Sequence, residues 1–110
     1  MKNKIRDKIR DKEIACGLLV QLSEIKERQD RLLRWKNENV KDATPYMKVK
    51  IRNIYKEQME VLDHKADKLA AKLMKILSKY RKIVKKEFLK FPNGILDRGY
   101  VDFVFKNSTD

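Results

Sequence analysis

Glycine and proline are scarce in this sequence, with three and two among 110 residues. A chain so poor in turn-formers cannot thread the many tight loops of a sandwich or barrel. Three glycines also leave no material for a glycine-rich phosphate loop. The single cysteine, Cys16, excludes an internal disulfide and gives secretion no support. The basic start, Met1 to Lys12, is not followed by the apolar core of a leader. Apolar runs such as Leu18 to Val20 are too short to cross a membrane, so no transmembrane segment and a cytoplasmic, intracellular location are expected.

Histidine is also single. His64 has Glu60 and Asp67 at helical spacing, too few ligands for a metal without help from a second element. No Ser/His/Asp or Cys/His set assembles, and Cys16 reads as a buried small hydrophobe on an apolar helix. Glu57, Glu60, Asp63 and Asp67 form an acidic patch better suited to pairing with Lys26, Arg28 and Lys56 than to acid–base work. No cofactor, no metal and no enzymatic activity are expected.

What the chain does contain is charge and apolar residues in alternation. Charged residues make up 40% and hydrophobic ones 42%, the balance of long amphipathic helices. The net charge is +12 and is unevenly placed. Residues 1–38 carry 11 basic and 7 acidic side chains, and residues 45–90 carry 14 and 5. A field of that sign attracts phosphates, acidic membranes or acidic proteins.

A first helix, A, is expected over about residues 3–38, with Ile14, Leu18, Leu22, Ile25 and Leu32 on one face, polar Gln29 among them, and Leu19 and Leu33 widening it. Upstream, a tandem tetrad places Ile5 and Ile9 together. The step from Ile9 to Ile14 slips the seam, and Gly17 weakens the middle. Residues 39–45 read as a loop. Thr44-Pro45 is a helix start, a hydroxyl cap followed by proline at the first helical position. The second helix, B, is expected over about 46–91. Its seam, Tyr55, Met59, Leu62, Ala66, Leu69, Leu73, Ile76, Tyr80 and Ile83, steps 4,3,4,3 throughout, the a/d pattern of a coiled coil. Phe91-Pro92-Asn93-Gly94 stops it. The short loop makes the helices antiparallel, and symmetry about it sets Leu18 beside Ala66 and Ile9 beside Lys75. Beyond a turn at Asp97-Arg98-Gly99, the β-branched and aromatic run from Tyr100 to Phe105 reads as a strand. The expected fold is therefore mainly α, one domain over 1–110: a long antiparallel helical hairpin with a short C-terminal β-strand or β-hairpin in residues 92–106.

Three features are candidates for function. Lys65, Lys68, Lys72, Lys75, Lys79, Lys82 and Lys86 each precede a seam position and form a basic ridge about 30 Å long, able to follow a phosphate backbone without reading sequence. As a solubility device alone, such a flank would mix in more glutamate. Arg28, Arg31 and Arg34, with Trp35 and Lys36, end helix A, where the indole either stacks on bases or packs on Met47 or Ile51. A second apolar stripe, Ala70, Met74, Leu77, Val84, Phe88 and Phe91, follows the seam by one residue. One partner helix cannot cover both stripes, so the tail, a second subunit or a foreign protein must.

The leading expectation is a non-enzymatic protein that contacts nucleic-acid phosphates through the lysine ridge and the arginines, without sequence preference. The alternative is a protein-binding module, an inhibitor, adaptor or assembly factor, docking through Met74, Leu77, Val84, Phe88, Phe91 and the strand residues Tyr100, Val101, Phe103 and Phe105. An acidic protein is the partner in that case, and a homodimer or hetero-complex is expected. A membrane-surface role ranks third. Richness in lysine, isoleucine and asparagine suits a phage or mobile element with an AT-rich genome.

Overall fold

A computed structural model describes residues 2–107, and the side chains of residues 6–107. Two long helices, α1 (Lys2–Val40) and α2 (Pro45–Ser78), pack against each other as a hairpin. They are followed by one short turn of helix, α3 (Lys85–Phe88), a 3₁₀ turn (Gly94–Leu96) and α4 (Arg98–Lys106). The side chain of Ile5, half of the expected Ile5–Ile9 pair, lies outside the described residues, and Ile9 is exposed.

The chain divides into two compact units: residues 1–23 with 68–110, and residues 24–67. The second unit contains the loop. There Thr44 Oγ1 accepts a hydrogen bond from the Met47 amide at 3.3 Å, and Pro45 opens α2, as the Thr44-Pro45 pair leads one to expect. Ile25 and Ile51 are buried between the helices. Gln29, polar on the seam, donates from Nε2 to Asp63 Oδ1 at 2.7 Å, and Lys36 Nζ stands 4.4 Å from the Tyr55 ring centroid. Both interactions cross the hairpin and record its register.

In the first unit α1 contributes Ala15, Leu18, Leu19 and Leu22, and α2 contributes Leu73 and Leu77. The seam of α1 differs here from the expected one. Ile14 is exposed, and the buried positions run Asp11, Ala15, Leu18, Leu22 at steps of 4,3,4. The slip between Ile9 and Ile14 therefore disappears: the heptad continues through a carboxylate instead of an isoleucine. Asp11 is buried because the Tyr80 hydroxyl donates to its Oδ2 and Lys79 Nζ lies 3.8 Å away.

The register differs by one heptad. Symmetry about the loop would set Asp11 beside Leu73 and Lys36 beside Lys48, but the observed partners are Tyr80 and Tyr55, seven residues later in each case. A shift of seven leaves every a/d position in register, so hydrophobic periodicity is blind to it. The polar partners choose.

Helix B is expected to run to residue 91, but α2 ends at Ser78. No glycine or proline breaks it. Ser78 Oγ bonds the Met74 carbonyl at 2.7 Å, and the Lys79 and Tyr80 amides tighten to i−3 acceptors. Val84 is extended, and the chain then folds back so that Phe88 and Phe91 meet Tyr100, at ring separations of 5.4 and 5.2 Å. Gly94, at φ 55°, makes the return turn.

The expected strand Tyr100 to Phe105 is instead α4. Asp97 caps it, Oδ1 accepting from the Gly99 amide at 2.7 Å. As a helix the run places Tyr100, Val101, Val104 and Phe105 on one buried face, with Asp102 and Lys106 exposed. As a strand it would split those residues between two faces that both need cover. Burying Val101 and Val104 contributes about 1.5–3 kcal/mol each, whereas the whole β-propensity scale spans only about 1 kcal/mol. Tertiary burial decides for helix.

Candidate functional site

All seven ridge lysines are exposed, but they do not lie on one continuous helix. Lys65 is on α2 in the second unit. Lys68, Lys72 and Lys75 follow on α2 in the first unit, at steps of four and three, and so share one face there. Lys79 and Lys82 sit in the turn after α2, and Lys86 is on α3. The expected seven-residue ridge along a single helix is thus replaced by four lysines on α2 and three more on the segment that follows it. Tyr80 and the aromatic partners on α4 draw that segment off the helix axis.

Among the described residues, Lys79 is the one ridge lysine within ion-pair distance of a carboxylate. The remaining basic partnerships of the first unit lie elsewhere. Arg10 meets Asp7 at 2.9 Å, Lys12 meets Asp102 at 3.7 Å, and Arg81 meets Glu87 at 2.6 Å. Arg81 also stands 4.8 Å from the Phe103 ring centroid, so its charge serves the aromatic cluster. By sequence the first unit carries 17 basic and 7 acidic side chains, a net of +10, and the second carries 11 and 9, a net of +2. The positive field belongs to the first unit.

Arg28, Arg31 and Arg34 are exposed on α1 in the second unit, and Arg28 and Arg31 line an open groove floored by Leu32, Val61 and Leu62. Trp35 is not sealed against the hairpin end: it is 37% exposed and Met47 45%. The acidic patch of α2 makes no ion pair with Lys26, Arg28 or Lys56 among the described residues; Asp63 takes the Gln29 amide instead.

The second apolar stripe is covered in part by the chain itself. Leu77 is fully buried, Ala70, Met74, Phe88 and Phe91 are half-buried, and Val84 remains exposed. Phe88 and Phe91 meet α4, whose Tyr100, Val101 and Phe105 are buried in turn, with Phe103 half-buried beside Phe91. The tail, one of the three covers anticipated from sequence, packs on Phe88 and Phe91. Leu77, Tyr100, Val101 and Phe105 belong to the core of this unit.

Sequence reasoning missed the Asp11–Tyr80 pair. Its signal was present, since Asp11 lies four before Ala15 and seven before Leu18, but Ile14 masked it. Burial and then the bond to Asp11 push the Tyr80 hydroxyl up to about 12. Cys16 is half-buried, not buried, and His64 is exposed. Among the described residues no three His, Cys, Asp or Glu side chains converge as metal ligands do, and no helix is long and apolar enough to cross a membrane. No protein-family model, curated protein or solved structure matches this chain.

Proposed function

We propose that this chain is a non-enzymatic binding protein whose first unit holds nucleic-acid phosphates through its exposed lysines. The observation that carries the reading is the set Lys68, Lys72, Lys75, Lys82 and Lys86. All are exposed, and none is neutralised by a nearby carboxylate among the described residues, in a unit of net +10. Unpaired cations of this kind gain little for the fold and much from a polyanion, because each phosphate they engage releases condensed counterions. Lysine acts here as a point charge, without the planar fork that reads guanine edges, so binding is indifferent to base sequence. The protein-docking alternative has less open surface to work with, since Leu77, Tyr100, Val101 and Phe105 are buried.

Salt titration of binding to a duplex oligonucleotide tests the reading. Replacing Lys68, Lys72, Lys75 and Lys82 together by Gln is expected to weaken binding to all sequences alike. It should also flatten the slope of log K against log salt by about 0.9 for each phosphate that the variant no longer engages. A slope unchanged by the four substitutions returns these lysines to solvation.

A further inference from the structure

We propose that engaging a polyanion straightens the chain after Ser78 and joins α2 to α3 in one continuous helix. This rests on the phosphate-binding reading above and concerns how that site is completed. The lysine pattern does not stop where α2 stops. Lys68, Lys72, Lys75, Lys79, Lys82 and Lys86 step 4,3,4,3,4, so a straight helix would hold all six within about 80° of one another, over roughly 27 Å. The seam also runs on, from Leu73 and Ile76 to Tyr80 and Ile83. No glycine or proline lies between Ser78 and Phe91, and α3 is already helical. Between the two helices Val84 is extended, at φ −101° and ψ 122°. Among the described residues the amides of Lys82, Ile83 and Val84 make no backbone hydrogen bond. A continuous helix would give all three an acceptor, at Ser78, Lys79 and Tyr80.

Two effects hold the free chain bent. Phe88 and Phe91 pack on Tyr100, at ring separations of 5.4 and 5.2 Å, and Arg81 meets Glu87 at 2.6 Å, a pair that six residues of helix would set on different faces. A straight helix would also bring the ammonium groups of Lys75, Lys79, Lys82 and Lys86 to the spacing at which like charges oppose helix. Phosphates reverse the second effect. Bound along the ridge, they turn the repulsion into attraction. The straight form sets Lys82 and Lys86 in line with Lys68, Lys72 and Lys75, and the bent form does not. The polyanion therefore binds the two forms unequally, which is the condition for a ligand to shift the balance between them. Tyr80 keeps Asp11 throughout, because it falls on the seam of the straight helix as well.

The test is to measure the backbone carbon chemical shifts of Lys82, Ile83 and Val84 by NMR, on the full chain, with and without a duplex oligonucleotide. These shifts are expected to move from non-helical to helical values on binding. Lys85→Pro locks the bent form. Lys85 opens α3 after an extended residue, so proline fits there in φ, needs no amide bond and has the neighbour it prefers. In a straight helix the same proline would clash with the Arg81 carbonyl. Lys85→Ala removes the same charge and admits both forms. Lys85→Pro should therefore fold and keep non-helical shifts in the presence of duplex. It should bind about tenfold more weakly than Lys85→Ala, with a salt slope flatter by about 0.9 for each of Lys82 and Lys86. Duplex binding that leaves the shifts of Lys82, Ile83 and Val84 unchanged overturns the proposal and leaves phosphate binding standing. Equal affinities of Lys85→Pro and Lys85→Ala overturn it too, since alignment of the lysines then adds nothing. A wild-type chain that binds no duplex overturns both readings.

Discussion

At the scale of single residues, Asp11 and Tyr80 do most to define the hairpin. A carboxylate on a heptad seam is costly unless a donor meets it, and only one alignment of the helices brings the Tyr80 hydroxyl to Asp11. The apolar seam tolerates a shift of seven residues; this pair does not. Tyr80→Phe leaves the buried carboxylate with Lys79 but without its hydroxyl donor, and is expected to cost about 1–3 kcal/mol. The same pair sets an alkaline limit. The folded Tyr80 hydroxyl titrates near 12, against an ordinary value of 10, so the unfolded chain loses its proton first. The stabilisation is intact below pH 10 and falls away as pH climbs toward 12. Thermal denaturation across that range should fall less steeply in Tyr80→Phe than in the wild type, while the lysines and other tyrosines contribute to both alike. Parallel curves would mean that Tyr80 titrates no differently folded and unfolded.

At the scale of elements, the sequence foretells what local chemistry controls and misses what distant packing controls. The start of α2 is legible because Thr44 and Pro45 act on the backbone beside them. The α2 seam is legible because Leu62, Ala66, Leu69 and Leu73 repeat without interruption and lie buried or half-buried. The end of α2 is not, because nothing local forbids helix at Lys79 to Ile83; the chain departs where Tyr80 reaches Asp11 and Phe88 and Phe91 reach Tyr100. The same holds for α4, whose residues prefer strand locally and are held as helix by burial. Local capping then matters more than usual, since a short helix built from poor helix formers has little propensity to spare. Asp97→Ala removes the side-chain acceptor for the Gly99 amide and is expected to cost about 1 kcal/mol, seen as a lower melting temperature. A variant that melts with the wild type would show that packing on Tyr100, Val101, Val104 and Phe105 alone fixes the helix.

For the whole molecule, the positive charge is concentrated in one of the two units. The sequence disclosed the lysines of the candidate site, all of which are exposed, but the unbroken ridge was an extrapolation of a helix that stops at Ser78. What remains is a unit of net +10 that keeps Lys68, Lys72 and Lys75 adjacent on one helix face. Like charges three and four residues apart oppose helix formation by about 0.2–0.5 kcal/mol per pair. Lys72 takes part in two such pairs, with Lys68 and Lys75. Lys72→Glu converts both repulsions into attractions, a gain of about 1 kcal/mol at low salt that screening should erase at high salt. If the lysines serve the fold or its solubility, this variant should be better or unchanged in every respect. If they serve a polyanion, the variant is more stable and binds worse, because a carboxylate now stands among the groups that face phosphate. Melting temperature and duplex affinity, measured on the same preparation at low and high salt, separate the two accounts. Greater stability with undiminished affinity would remove the lysine face from the proposed function. Greater stability together with weaker, less salt-dependent binding would show that local repulsion is retained there for the sake of a ligand.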